Sequence, residues 1–512
     1  MNAKQAREAI AKGKPVDVGR LIDLVERLEK LLEDSIQKNS ELTKTIAELT
    51  KSTKVELPYS MSAHEKRMKE LAEANAKRRL RNKGLKNKIG AAKRGRKNND
   101  SKLKLAERTE PVFPSNFPKE QCVLSHTRPV WRLEKNRAII VAYQVWVHKP
   151  TKTYGKIPGV IGRNGYGLEF ILAVAYQVYS LGLSLDKVVL LTGFFQNLKI
   201  GKSQIDAMLN QLAKHLEGEF DNLCSLAANS MILHADETSW SIHSVWAFIT
   251  ETTRILLHGV HKDASTLEVI VNPAVFGGLV VSDDAAVYST FTKTQKCWAH
   301  LFRKSVRICL LAPENKRFEI LRDGLFEIYR SANRLKSDGR YTDDGRYEAM
   351  LKIQDRLHDL ICPECEVHQG QKVEGPQEEY RLLICELLKL SVDDALFTFI
   401  TTPAAVRPNG TELVASGTNN EAERTLRPAA KARNTDQASK TVRGARRRTI
   451  IVSTMESIRC YVQGYTLASI TEELLSWQSK GMSCFERQLQ SLTECTRSAG
   501  ILAKLYPPPQ PA

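Results

Sequence analysis

Three stretches of the 512-residue chain set acids where a fold can bring them together. The apolar run Met231 to Leu233 leads into His234-Ala235-Asp236-Glu237-Thr238, and a second run, Leu279-Val280-Val281-Ser282, leads into Asp283-Asp284. Far downstream, the helix-like segment Asn419-Asn420-Glu421-Ala422-Glu423-Arg424 carries acids of its own. Two strand-end aspartates and a distant helical glutamate suggest a carboxylate metal site. Carboxylates a few ångströms apart repel, so one takes up a proton unless a cation neutralises both. Hard oxygen ligands favour Mg²⁺ or Mn²⁺. Two such ions about 3.5 to 4 Å apart activate a water or hydroxyl and stabilise the leaving oxygen of a phosphodiester. A lone strand-end acid more often caps or solvates a sheet edge. It is the combination of acids with a basic chain that argues for chemistry.

The elements that must position these acids are legible around them. Val245 to Ile249 and Ile255 to Val260 read as strands following the Asp236 strand in a meander, and Ser265 to Val271 as a short helix leading into the Leu279-to-Ser282 strand. Three strands, a helix and a fourth strand is the order of a ribonuclease-H-like core, in which the first and fourth strands lie side by side and bring Asp236 and Asp283 together. Glu237 and Thr238 are support, because the next residue on a strand points to the other face. About 140 residues separate the second aspartate from the glutamate, so an inserted domain is expected. Phe318 to Ala332, Tyr347 to Ile361 and Glu378 to Leu390 give it helical spacing. Inside it, Cys362, Cys365 and His368 offer only three zinc ligands, and a reduced helix-end turn is the plainer reading.

Composition bounds the partners. The net charge of +18 and the 42% hydrophobic content describe a chain with a sizeable core and a polyanionic partner, nucleic acid before membrane. No apolar run approaches the roughly 20 residues of a membrane span, and Met1-Asn2-Ala3-Lys4 lacks the apolar core of a secretory signal. The ten scattered cysteines read as reduced thiols. Between Met61 and Glu110, seventeen Lys or Arg stand against six Asp or Glu. The runs Lys77 to Arg81 and Lys93-Arg94-Gly95-Arg96-Lys97 suit salt-sensitive contact with phosphates, with a solvated linker as the plain alternative. Leu21 to Leu49 shows a helical period fitting either a self-packed amphipathic helix or a short coiled coil. Leu185 to Leu191 and Ser203 to Leu209, joined by Gly-containing turns, resemble a helix-turn-helix.

The ordered motifs carry a resemblance. His234-Ala235-Asp236-Glu237-Thr238, Asp283 with Tyr288, Cys297-Trp298-Ala299-His300, and Asn419-Asn420-Glu421-Ala422-Glu423-Arg424 with Leu426-Arg427-Pro428 resemble the successive motifs of the insertion-sequence sixty-six transposase family. The likeness implies an Asp-Asp-Glu transposase with Asp236, Asp283 and Glu423 as catalytic metal ligands for two Mg²⁺ or Mn²⁺ ions. It implies cleavage at the terminal inverted repeats of its own element and transfer of the 3′-hydroxyl strands to target DNA. A homo-oligomer, element-encoded accessory proteins and a bacterial cytoplasmic setting, nucleoid-associated when bound, go with it. A catalytically inactive, DNA-binding coiled-coil regulator derived from a transposase is the alternative. Thr418 stands where the family often has an aspartate, and Asp284-Ala285 where Gly-Tyr is common. Asp284 and Glu421 are therefore rivals, although Asp283 keeps the family spacing to Tyr288 and Glu423 that from the asparagines. Cys122 stands alone where paired zinc cysteines are common.

The expected organisation is multidomain α+β: a coiled-coil segment (1–55), a basic linker (56–115), a small β-rich module (116–160) and a helical, DNA-binding region (161–228). A ribonuclease-H-like core of mixed sheet and helices (229–312), a helical insertion (313–410), the completion of the core with the glutamate helix (411–480) and a C-terminal tail (481–512) follow. Arg424 and Arg427, three apart on one helix face, and Lys93, Arg94, Arg96 and Lys97 are the expected DNA contacts, with Arg443 to Arg448 a possible extension. His300, Trp298 and Asn420 are expected in support.

Overall fold

The computed structural model describes residues 100–162, 164–366, 374–435, 438–493 and 495–507. The Leu21-to-Leu49 period, the basic cluster at Lys93 to Lys97 and His368 lie outside them. Among the described residues the fold is α+β, with 16 helices and 11 strands. None of these helices is long and apolar enough to cross a membrane.

After a one-turn helix, α1 (Asp100–Leu103), comes a sheet of β1 (Arg108–Val112), β2 (Cys122–Glu134), β3 (Arg137–His148) and β4 (Thr153–Tyr154) in the order β1-β3-β2, with β4 on β3. Lys135 and Asn136, both at positive φ, make the two-residue turn between β2 and β3. The sheet thus starts before residue 116, because β1 pairs parallel with β3 and owes its strand state to that partner. Four helices follow: α2 (Leu168–Tyr179), α3 (Leu185–Gln196), α4 (Lys202–Leu216) and α5 (Glu219–Ala228). The Ser184 hydroxyl caps α3, and Asn197 ends it in the left-handed region, so the α3–α4 pair stands where the helix-turn-helix pattern fell.

The second sheet is built from β5 (Ile232–Ser239), β6 (Ser244–Ile249), β7 (Arg254–Val260), β8 (Leu279–Ser282) and β9 (Thr294–Lys296), in the order β7-β6-β5-β8-β9. The meander β5-β6-β7 is antiparallel, and β8, reached through α6 (Ala264–Ile270), pairs parallel with β5. β9 then pairs parallel with β8. β5 alternates: Leu233 and Ala235 enter the main core with Trp246 and Phe248, while His234 and Asp236 point to the opposite face. The strand runs on past Asp236 to Ser239, held by pairing with β6 through Ser239↔Ser244, so this aspartate lies within a strand rather than ending one.

Helices cover both faces. α7 (Trp298–Leu311), α8 (Lys316–Ser337), α9 (Asp343–Glu366), α10 (Pro376–Val392) and α11 (Thr398–Thr401) share a hydrophobic cluster that also takes Ile232, Leu279 and Val281 from the sheet. The hairpin β10 (Ala405–Val406) and β11 (Glu412–Leu413) leads to α12 (Asn420–Asn434). α12 lays Ala422, Leu426, Ala429 and Ala432 against Val245, Ala247 and Ile249. Spacings of four, three and three keep that stripe on one helix face, and the alanines allow close approach to the sheet.

The edge strand β7 is closed by α13 (Val442–Ile458). The hydroxyls of Ser457, Ser453 and Thr449 accept from the backbone N–H groups of Arg254, Leu256 and His258 at 2.9, 2.9 and 2.8 Å. Four residues of helix rise about 6 Å and two residues of strand about 6.6 Å, so hydroxyls four apart match amides two apart. An edge that would otherwise recruit another strand is thereby satisfied within the chain. Gly259, at φ +73°, sits where a Cβ would lie 2.8 Å from the Ala445 methyl, so this crossing needs glycine. α14 (Leu467–Lys480), α15 (Cys484–Gln490) and α16 (Ile501–Leu505) complete the order. In the C-terminal segment Phe485, Leu489, Ile501, Leu502 and Tyr506 are buried in the main core, and the Tyr506 hydroxyl donates to the His258 carbonyl at 2.8 Å.

Candidate functional site

β5 and β8 pair as His234↔Val281. Asp283 follows Ser282, the last residue of β8, and its charge reaches Asp236. Glu423 comes to them on the first turn of α12, whose position is fixed by Asn419. This buried asparagine donates its side-chain amide to the Ala235 carbonyl at 2.7 Å, and its Oδ1 lies 3.3 Å from His234 Nδ1. Its backbone N–H reaches Cys297 Sγ at 3.2 Å. One residue thus ties α12 to β5 and to the start of α7. Asn420, the asparagine expected in support, is exposed on α12 beyond these contacts.

Asp236 is half-buried and accepts the Glu237 backbone N–H at 2.9 Å. Burial, and then the repulsion of Glu237, Asp283 and Glu423, push its carboxyl up to about 7 from an ordinary 3.8. Glu237 turns to the other face, where Tyr288 donates to it at 2.6 Å and Lys262 pairs with it at 2.7 Å. Tyr288 therefore ties the turn after β8 to the residue beside Asp236, a role that its place five residues after Asp283 hinted at.

The rival acids are each engaged by cations. Asp284 lies 4.0 Å from Lys296 Nζ and 3.5 Å from Lys389 Nζ. Glu421 pairs with Arg254 at 2.7 Å, which, against the effect of burial, holds its carboxyl below the usual range. Asp283 receives the Ala285 N–H on its own carboxylate at 3.1 Å, and its backbone carbonyl takes Lys296 Nζ at 3.0 Å. Lys296 is 6% exposed and its ammonium is pushed down by burial. It also lies 3.3 Å from the Ser282 hydroxyl, fixing the strand end that bears Asp283, and nothing in its local sequence announced that role.

Glu423 is 28% exposed, with Arg303 Nη2 at 3.2 Å; the same nitrogen lies 3.3 Å from His300 Nε2. Cys297, His300 and Glu423 present ligand atoms within 4.8 Å of one another. Burial pushes the Cys297 thiol up and, with Arg303, pushes the His300 imidazole down. Trp298 is a core residue: it is fully buried, its indole N–H donates to the Leu396 carbonyl at 2.8 Å, and its ring packs on Phe302, Tyr329 and Phe397. Asp283 and Glu423 lie near enough to Asp236 to repel its charge, and their hard oxygens would suit Mg²⁺ or Mn²⁺, although among the described residues the three carboxylates are not gathered within 4.8 Å as Cys297, His300 and Glu423 are.

Arg424 and Arg427 are exposed on α12 and, with Lys187 and Lys431, line a groove of about 870 Å³. The later basic run does not extend this track. Arg446 pairs with Glu217, Arg447 with Asp206 at 2.5 Å, and the buried Arg448 stacks over Tyr179 and Trp240. Those guanidiniums fasten α13 to α4 and to the core. The Cys362 thiol is exposed at the end of α9.

A family model described as Transposase IS66 family matches residues 165–447, from the start of α2 into α13 and across all three acids. No curated protein matches the chain well enough to count as a relative.

Proposed function

The chain belongs to the IS66 family of transposases, and on that premise we propose that it cuts DNA at the ends of its own insertion element and joins the freed 3′-hydroxyls to target DNA. One observation carries the reading. Asp283 and Glu423 both lie near enough to Asp236 to add to the rise that burial gives its carboxyl, whereas Arg254 holds the Glu421 carboxyl below its usual range. The sheet order β7-β6-β5-β8-β9, with β8 parallel to β5, supports a ribonuclease-H-like core around them.

In this reading Asp236, Asp283 and Glu423 would hold two Mg²⁺ or Mn²⁺ ions, whose chemistry would be to activate a water or hydroxyl and to stabilise a leaving oxygen. The chain's own part is positioning. Asn419 sets the helix that bears Glu423, Lys296 sets the strand end that bears Asp283, and the Tyr288–Glu237–Lys262 cluster braces the strand that bears Asp236. Arg303 sits beside Glu423, where a cation can meet a phosphate oxygen. Arg424 and Arg427 receive the duplex backbone, the α3–α4 pair contacts element-end DNA, and Lys93, Arg94, Arg96 and Lys97 add sequence-independent phosphate contacts. Labelled duplexes of the element's terminal repeats test the reading. Mg²⁺-dependent nicking and strand transfer are expected, and either activity surviving unchanged in Asp236→Asn would sink it.

A further inference from the structure

A cavity of about 580 Å³ lies along the other flank of the first turn of α12, within the roughly 300 to 1,000 Å³ of small-ligand sites. Glu421 and Arg424 line it. Glu423, two residues from Glu421 and so roughly 200° around the helix, meets the Asp236 side instead. Arg254, Arg407 and Arg459 also line the cavity. Arg254 is neutralised by Glu421 and Glu456 at 2.7 and 3.8 Å, and Arg459 by Glu456 at 3.2 Å. Arg407 and Arg424 make no ion pair within 4 Å among the described residues, although the Arg407 charge reaches Glu421 and Glu251. Arg407 is nevertheless held, since its Nη1 donates to the Glu412 carbonyl at 2.7 Å, and Arg424 Nε donates to the Asn420 carbonyl at 3.3 Å.

His234 is 0% exposed and lines the same cavity. It lies two residues before Asp236 on the same face of β5. Its Nδ1 is engaged by Asn419, while Nε2 has no partner, although an unsatisfied buried polar atom costs about 1 to 3 kcal/mol. Nε2 is closed to solvent in this structure, so a base edge would meet it only as the cavity opens, and phosphates at the surface of a straight duplex would not. A ligand with an anionic end for two unpaired arginines and a polar group for a buried ring nitrogen has the chemistry of a nucleotide. Arg424 also lines the groove of Arg427 and Lys431, so cationic surface continues from that groove into the cavity.

We propose that this cavity is a nucleotide subsite. Building on the DNA-cutting reading above, it takes one nucleotide turned out of the duplex beside the cleaved bond, its phosphate against Arg407 and Arg424 and its base edge toward His234 Nε2. Turning a nucleotide out costs a few kcal/mol, least at a distorted or already unpaired position, and the two arginines offset it.

The test uses the full chain carrying Asp236→Asn and terminal-repeat duplexes with 2-aminopurine at each position flanking the cut. One position is expected to brighten about threefold or more on binding, as an unstacked base does. Adding Arg407→Ala returns that position to near the free-duplex level, while Arg407→Lys, which keeps the charge, retains about half of the rise. If no position brightens, or the rise is equal with Arg407→Ala, the subsite is wrong. Cleavage of unmodified duplex by the natural chain separates the two readings. Cutting without brightening overturns the subsite alone, and brightening that depends on Arg407 without Mg²⁺-dependent cutting overturns the nuclease reading alone. Titration with free dAMP and dCMP separates the sources: tight binding that the repeat duplex does not displace would assign the cavity to a free nucleotide and overturn the extruded one.

Discussion

Replacing Asp236 by asparagine should stabilise the metal-free protein while abolishing its chemistry. The carboxyl ionises near 3.8 ordinarily and near 7 in the fold. Between those values the folded state holds a proton that the unfolded chain has released. Stability contributed by this group therefore falls as pH rises across the window, and the loss is complete above about pH 7. A gap of about three pH units corresponds to about 4 kcal/mol at about 1.36 kcal/mol each. Asp236 is only partly buried, and solvent screening reduces the expected effect to about 2 kcal/mol at pH 8. Asparagine has nearly the same shape and no charge. In EDTA at pH 8, Asp236→Asn should resist urea by that margin over the natural chain, and at pH 5 by less than half of it. Mg²⁺ should raise the natural chain's urea midpoint, because it binds the folded state alone, and should leave the variant's nearly unchanged. A variant no more stable than the natural chain at pH 8, or an advantage that does not shrink at pH 5, would refute the picture of a carboxylate raised by burial and by its acidic neighbours.

Further outcomes follow from single contacts. Glu423→Gln should lower Mg²⁺-dependent cleavage by about 100-fold or more, whereas Glu421→Gln should keep most of it and lose stability through Arg254; the reverse ranking in a single-turnover assay would reassign the ligand. Ser453→Ala removes the acceptor for the buried Leu256 N–H and should cost about 1 to 3 kcal/mol, read from the urea midpoint. A change below about 0.5 kcal/mol would mean that the hydroxyl ladder of α13 is not what satisfies β7. Arg424→Ala with Arg427→Ala should flatten the salt dependence of DNA affinity by up to about two phosphate contacts, and an unaltered slope would place the duplex elsewhere.

Much of the central sheet was legible because strand patterning is local. The apolar runs before Asp236 and Asp283, the meander between them and the short α6 each announce themselves within a dozen residues, and parallel pairing of β5 with β8 then sets the two segments side by side. Other features depend on partners far away in the chain. Only the spacing from the asparagines favours Glu423 over Glu421 in the sequence, and their partners, Arg303 for Glu423 and Arg254 for Glu421, lie 120 and 167 residues away. The run Arg446-Arg447-Arg448 reads as a solvated cationic track, yet its charges meet Glu217, Asp206 and two aromatic rings. The segment after residue 481 carries only short apolar pairs, and it becomes core because Tyr506 finds the His258 carbonyl 248 residues away. Lys296 looks like any surface lysine until β9 pairs beside β8 and buries it.

The first turn of α12 faces two ways. On a helix, residues two apart lie on opposite flanks, so the pair Glu421 and Glu423 cannot both face the aspartates. Glu421 goes to the arginines around the cavity, and Glu423 to Asp236 and Asp283. β5 repeats the arrangement along its length, since residues two apart share a face: His234 borders the cavity and Asp236 the carboxylates. Asn419 bonds to both His234 and the Ala235 carbonyl, so it fixes helix against strand at the boundary between the two sites. A displacement of α12 that opened the cavity would move Glu423 with it. If the cavity takes a nucleotide as proposed, Asn419 would couple its occupancy to the placing of Glu423, and a nucleotide seated against Arg407 and Arg424 would hold the helix beside the aspartates.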